Sequence, residues 1–449
     1  MAKVSIRELA LETLLKVLEE GEYSSVVIPQ VLSNYQYLDK QERAFFTRLC
    51  EGTIERAIEL DYILDQFSKV KTKKMKPVIR TVLRMGVYQL KYMRQVPASA
   101  ACNEAVKLAQ RKGFHNLKGF VNGVLRNIHR NLEQIVYPDK EKEPMVYLSV
   151  TYSVPQWLPK LWTKQYGYAL TEQMLAASFC ERPTVIRCNE NKLTVKQLTA
   201  CLQEEQVQVK PGAYVDAALQ ISGYDYLAGL DSFQKGYFQV QDESSMLVAM
   251  AAGIREQDQI VDVCAAPGGK SLHAATILKG TGMVSARDLT EGKVAKIREN
   301  QERLGIENMQ AKVQDALVKD ESMVGMADVV IADLPCSGLG VLGKKNDIKY
   351  KASLEGIEQL QSLQRNILRT VCEYVKPGGT LIYSTCTVNK KENEENCQWI
   401  QQELGLKPDS LDPYLPTELL CDSTAQGYLQ LFPGKHQTDG FFLARFQKA

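Results

Sequence analysis

Histidine, tryptophan and paired cysteine are scarce in this chain. Its 449 residues include four His and three Trp, and the eleven Cys are scattered with no C-x-x-C pair. An odd, scattered set argues against a disulfide framework and against a thiolate zinc site. Most of these thiols are therefore expected as small buried hydrophobes. No apolar run approaches the length of a membrane span. The opening MAKVSIRELALETLLKVLEE is broken by charge every few residues. That predicts an amphipathic helix rather than a signal peptide, and hence a cytoplasmic location. Low-complexity tracts, internal repeats and the dinucleotide fingerprint G-x-G-x-x-G are also missing.

One further absence is local. From Lys69 to Arg130 a single acid, Glu104, stands against fifteen Lys and Arg. This stretch carries +14, so the rest of the chain sums to −12 under an overall charge of +2. A short charge run is ordinarily a solvated face. One this long points to contact with nucleic acid.

What is present divides into three parts, as expected for a chain too long for one core. Residues 1–140 read as helices: Leu and Val recur at helical spacing, Pro77 suits a first helical position, Ser99 is the expected N-cap of a helix and Gly113 its stop. YPDKEKEP (137–144) reads as a linker. Residues 145–240 mix helices with short strands such as TVIRCN and ALQIS, which predicts a small α+β domain. From 241 to 449 apolar strands alternate with helices. That pattern predicts an α/β, doubly wound, Rossmann-like domain with a parallel sheet, whose ligand lies beyond the carboxyl ends of the strands.

The first of those strands ends in DVCAAPGGKS (262–271). Its glycine turn allows close approach of a ligand beside a helix N-terminus. GGKS resembles the end of a phosphate-binding loop, but that loop needs Gly where Cys264 stands, and Pro267 stiffens the turn. S-adenosylmethionine has no phosphate. It needs the turn and an acid for its ribose hydroxyls. Asp288 supplies that acid at the end of the second strand, Asp315 ends the third within reach of an adenine amine, and Asp333 ends the fourth. A single such Asp is more often a cap or turn residue; three above one glycine turn are less easily so explained.

Two cysteines also sit at strand ends, Cys336 in DLPCSG (333–338) and Cys386 in STCT (384–387). Carbon 5 of a pyrimidine has no lone pair. It becomes nucleophilic only after a thiolate adds at carbon 6. Such chemistry asks for a thiol, a carboxyl group and a second proton handler at neighbouring strand ends, and Cys386, Asp333 and Cys336 are so placed.

VDVCAAPGGKS, DLPCSGLGV and YSTCT, in this order, resemble the motifs of the RNA cytosine-C5 methyltransferases, the NOL1/NOP2/Sun family. QDESSMLVA, NDIKY, KENEEN and DGFFLARFQK fit as well, and residues 1–140 resemble the NusB-type RNA-binding fold. The likeness covers essentially the whole chain, and the pairing of domains is similar to that of bacterial 16S ribosomal RNA methyltransferases. It implies that Cys386 is the nucleophile and that Cys336 assists product release. It also implies that Cys264, Ala265, Ala266, Pro267, Gly268, Gly269 and Lys270, with Asp288, Asp315 and Asp333, hold S-adenosylmethionine. Lys270 is expected to steady Asp333 or the base. No metal is implied. After the ribose acid, ARDLTEGK lacks the aromatic or His residue common in the family. The implied substrate is 16S ribosomal RNA, gripped by the basic helical region and the middle domain. A transfer RNA methyltransferase and a non-catalytic RNA-binding assembly factor are the alternatives.

Overall fold

The computed structural model describes residues 5–35, 37–180 and 183–449. The chain forms two compact units, 1–179 with 342–352, and 180–341 with 353–449.

The first unit is helical: α1 (Ile6–Leu18), α2 (Ser24–Asn34), α3 (Lys40–Glu55), α4 (Ala57–Phe67), α5 (Pro77–Tyr92), α6 (Ala98–Arg111), α7 (Lys118–Arg130), α8 (Pro144–Thr151), α9 (Trp157–Tyr166) and α10 (Tyr168–Ala177). Local chemistry sets several ends. Asp39 accepts from the Glu42 N–H and Glu42 returns the bond, a capping box that opens α3. Pro77 starts α5, as its fixed φ favours. The expected Ser99 cap is corrected: α6 begins at Ala98, Ser99 lies in its first turn, and the Pro97 carbonyl accepts from the Ala101 N–H at 3.1 Å. One core gathers Leu11, Leu14, Phe46, Leu60, Leu83, Leu125 and their neighbours.

Helices α8–α10 group with this bundle rather than with the strands that follow. The Ser153 hydroxyl accepts from the Ile58 N–H at 3.0 Å, and the Arg56 guanidinium lies 3.9 Å from the centre of the Phe179 ring. The expected linker is tied down as well, since the Tyr137 hydroxyl donates to buried Glu59 at 2.6 Å. The NDIKY segment belongs here: Asp347 accepts from Ser24, and the Lys349 amine donates to the Glu55 carbonyl at 2.7 Å.

The second unit opens with an antiparallel sheet. β1 (Thr184–Cys188), β2 (Gln208–Pro211), β3 (Ala218–Ser222) and β4 (Phe238–Val240) lie in the order β2-β3-β1-β4, with α11 (Val195–Glu204). After α12 (Glu243–Ala251) come β5 (Gln259–Asp262), α13 (Gly269–Ile277), β6 (Met283–Asp288), α14 (Glu291–Leu304), β7 (Met309–Val313), β8 (Ala327–Asp333), α15 (Leu354–Val371), β9 (Val375–Thr385), α16 (Glu394–Leu404), β10 (Lys407–Pro408), β11 (Tyr428–Leu431) and β12 (Phe441–Gln447). Strand order is β10-β12-β9-β8-β5-β6-β7, with β11 on β12. The run β9-β8-β5-β6-β7 is parallel, as expected. The sheet as a whole is mixed, because β12 pairs antiparallel with β9 and carries β10 and β11 antiparallel to itself.

Period-two alternation explains the layers. Ile260, Val329, Ile331 and Ile382 face a core shared with α12, α13 and α14. Their neighbours Val261, Val330, Ala332, Leu381 and Tyr383 face a core shared with α15 and α16. Strand order reverses between β5 and β8, so a crevice opens at their carboxyl ends, where ligands of such sheets bind.

Candidate active site

β5 ends in Asp262 and turns through Cys264–Gly269 into α13. Gly268 makes the turn possible. Its φ is +104°, which strains any other L residue, and its N–H closes the turn onto the Ala265 carbonyl at 2.7 Å. The Ala266 N–H donates to Asp288 Oδ2 at 2.9 Å, so the end of β6 ties down the turn after β5. Asp288 Oδ1 accepts from the Leu289 N–H and pairs with Lys293 at 2.9 Å. Leu289 is 57% exposed, an apolar side chain open beside the acid. Asp315 lies two residues past β7 and accepts from the Leu317 N–H at 2.9 Å, a turn contact. Burial pushes the half-buried Cys264 thiol up, so it stays protonated.

Lys270 decides between phosphate and phosphate-free ligands. In a phosphate-binding loop this amine would face the ligand; here it pairs with Asp333 Oδ2 at 2.7 Å. Burial alone would lower the Lys270 pKa, but the Asp333 charge and hydrogen bond outweigh it and hold the ammonium above its usual range. Asp333 Oδ1 accepts from Ser384 at 2.8 Å, joining β8 to β9. Just beyond those strands the Cys336 and Cys386 sulfurs stand 3.4 Å apart. Cys386 contributes to the raised pKa of Lys270, so the ammonium and that thiol share one field. Hydrogen bonding to Cys386, then burial, raises Cys336 well above an ordinary thiol.

The structure thus brings Cys386, Cys336, Asp333 and Lys270 together, and joins the turn 264–269 to Asp288, with Asp315 past the end of the neighbouring strand. Sequence reasoning missed four residues here. Ser384 fixes Asp333. Phe441 lies under the Lys270 amine at 5.4 Å. Asp262 is fully buried, accepts from the Ser271 hydroxyl at 2.6 Å, and is raised by burial to about 7. Glu392, also fully buried, binds the turn after Cys336. DGFFLARF and KENEEN held the signal for two of them, but only as likeness. Among the described residues no cluster suits a metal ion, and no helix is long and apolar enough to cross a membrane.

Comparison with known proteins settles the family. Residues 249–447 match the model for "16S rRNA methyltransferase RsmB/F", residues 4–130 the NusB family, and residues 154–224 the RsmF/B-like ferredoxin-like domain. A curated relative, the probable ribosomal RNA small subunit methyltransferase B of Bacillus subtilis, is 36% identical over all of both chains. The chain belongs to the RsmB family of ribosomal RNA small subunit methyltransferases. Its fold agrees. A methyltransferase homologue from Pyrococcus horikoshii superposes with a TM-score of 0.58 at 25% identity, covering 68% of this chain and 99% of that one. NSun6 from the same organism, crystallised with SFG, an S-adenosylmethionine analogue, gives 0.58 at 22%, covering 66% and 98%. An RsmB-type protein is an S-adenosylmethionine-dependent ribosomal RNA methyltransferase, and a phosphate-free turn with Asp288 and open Leu289 fits that cofactor.

Proposed function

We propose that the protein methylates carbon 5 of a cytosine in 16S ribosomal RNA through a covalent adduct between Cys386 and carbon 6. The observation that carries this reading is the pair of thiols 3.4 Å apart beside the Asp333–Lys270 ion pair. A methyltransferase acting on an exocyclic amine has no use for two thiols; one acting on carbon 5 needs a nucleophile and a proton handler.

Residues 264–269, Asp288 and Asp315 would hold S-adenosylmethionine, which supplies an electrophilic methyl group. The Lys270 ammonium favours the Cys386 thiolate. That thiolate adds to carbon 6 and makes carbon 5 electron-rich. Asp333 hydrogen-bonds the ring. After methylation a base takes the carbon-5 proton, its bonding pair re-forms the double bond, and the carbon–sulfur bond to Cys386 breaks, returning the sulfur as thiolate. Cys336, protonated beside Cys386, assists that expulsion. The target base must be unstacked or single-stranded to reach the crevice.

Six of the fifteen basic residues between 69 and 130 are paired with acids: Arg80, Arg84, Lys91, Lys107, Arg111 and Lys112. The exposed lysines 69, 71, 73, 74 and 76, with Lys118 and Arg126 on α7, are the better candidates for phosphate contact.

A trapping assay tests the reading. Wild type, Cys386→Ala and Cys336→Ala are incubated with ribosomal RNA and labelled S-adenosylmethionine and run on a denaturing gel. Cys336→Ala is expected to accumulate a protein–RNA adduct. Cys386→Ala should give no adduct and lose on the order of 10^4-fold or more in rate. Methylation by Cys386→Ala would reverse the assignment.

A further inference from the structure

Two thiols so close could share one proton, and the methylation chemistry alone does not say which sulfur gives that proton up. The environment of Glu392 does. This residue is fully buried ahead of α16. It accepts from the Ser337 N–H at 2.8 Å, the Ser337 hydroxyl at 2.5 Å, Gln364 Nε2 at 3.2 Å and Asn389 Nδ2 at 3.0 Å. All four donors are neutral. Such a group is costly to bury and is kept in place only by full hydrogen bonding. A helix-capping residue would bond its own helix. Glu392 instead reaches across to the residue that follows Cys336.

The clip extends to the other thiol. Thr387, which follows Cys386, lies 2.7 Å from the Ser337 hydroxyl. Because Ser337 gives its proton to Glu392, Thr387 donates to Ser337. The residues following each cysteine are therefore hydrogen-bonded to one another and anchored on one carboxylate. Gln364 of α15 adds a bond to the Pro335 carbonyl at 2.9 Å, fixing the same turn from its other side.

We infer that Glu392 is a positioning residue for the reaction: it locks the Cys336 turn, and its negative charge reserves the shared proton for Cys336 and leaves the thiolate to Cys386. This rests on the two-thiol reading of the site. The ionisable groups that face Cys336 among the described residues are Cys386, Glu392 and the Tyr383 hydroxyl. The positive group of the site, Lys270, acts on Cys386. A negative charge anchored on the residue that follows Cys336, and a positive charge whose field reaches Cys386, polarise the pair in one direction. The Glu392 charge is among the influences that raise Cys336, in agreement with the geometry.

The first part of the test needs no RNA. The full chain is alkylated with iodoacetamide across a pH series, and peptide mass spectrometry reads Cys336 and Cys386 separately. Wild type is expected to label Cys386 first. Glu392→Gln, which keeps the shape and removes the charge, should move labelling toward Cys336 by at least about tenfold and lower the pH at which Cys336 reacts. Glu392→Asp should restore part of the selectivity. Unchanged selectivity in a folded Glu392→Gln chain would overturn the inference. If that variant melts, Ser337→Ala loosens the clip but keeps the charge. Retained selectivity with slower release of the RNA adduct would support the inference, and equal labelling of both thiols would overturn it. Selective Cys386 labelling without any adduct from Cys336→Ala would instead sink the two-thiol mechanism and leave the assignment of Glu392 standing.

Discussion

The two units hold their most buried glutamates differently. In the helical unit, buried Glu59 pairs with Lys91 at 2.6 Å, and buried Arg84 grips the half-buried Asp61 through two hydrogen bonds at 2.6 and 2.7 Å. In the catalytic unit, Glu392 and Asp262 are held by neutral donors, and the ion pair Lys270–Asp333 sits in the crevice. Charge paired inside the helical core serves the fold; charge held by neutral donors, or paired in the crevice, keeps a field that a reaction can use. Residues that stabilise are thereby set apart from residues that act, and the distinction can be tested from both sides.

The largest expected effect is an opposite pH response in the two units. Burial raises Asp262 to about 7 and lowers Lys349 to about 7. For Asp262 the folded pKa lies above the unfolded one, so between pH about 4 and about 7 only the folded state holds the proton, and stability falls as pH rises. For Lys349 the folded pKa lies below the unfolded one. Between pH about 7 and about 10.5 only the unfolded state holds the proton, and stability rises with pH. Each window amounts to about 4–5 kcal/mol at most. Hydrogen exchange on wild type, Asp262→Asn and Lys349→Met should show the Asn variant gaining on wild type through the first window in the sheet. The Met variant should lose its advantage through the second in the helices. Parallel slopes in both units would erase the contrast.

Next come the paired cations. Arg84→Ala strands Asp61 and should cost the helical unit about 3 kcal/mol. The salt dependence of RNA affinity should stay as it is, because this charge is already engaged by Asp61. Urea unfolding and filter binding at several salt concentrations read the two quantities separately.

The exposed lysines should behave in reverse. Replacing Lys69, Lys71, Lys73, Lys74 and Lys76 by Ala is expected to leave stability nearly unchanged and weaken RNA binding by about 10–100-fold. The salt slope should fall by roughly one unit for each of these lysines that touches a phosphate. An unchanged slope would move the RNA interface elsewhere on the protein.

This contrast also explains how legible each unit was. The crevice could be read because most of its residues fall at strand ends, where period-two alternation and glycine turns put them on one edge; Cys336, Cys386 and Asp333 were read that way, and Lys270 only through the family resemblance. Glu392 could not, since nothing in KENEEN says that its second residue reaches back over 50 positions to Ser337. In the helical unit the basic run was plain, but which cations were engaged by acids was not. Arg84 and Lys73 look alike until Asp61 is seen beside one of them. The packing of α8–α10 on the bundle is not legible in the sequence for a related reason. Their tie to the bundle runs through Ser153, Arg56 and Phe179, contacts with no local signature.

The smallest effect concerns a feature that local sequence alone does specify. Asp39 and Glu42 form the capping box that opens α3, on an exposed face of the helical unit. Asp39→Ala removes one acceptor for the Glu42 N–H and should cost about 1 kcal/mol of the helical unit's stability. The loss should be the same at low and high salt, since a hydrogen bond within the first turn of a helix is little screened, whereas an exposed ion pair would fade with salt. Asp39→Ser should recover most of it, because a hydroxyl can accept the same bond. A variant that Ser fails to rescue, or whose cost disappears at high salt, would place Asp39 among the surface charges and not among the groups that build the fold.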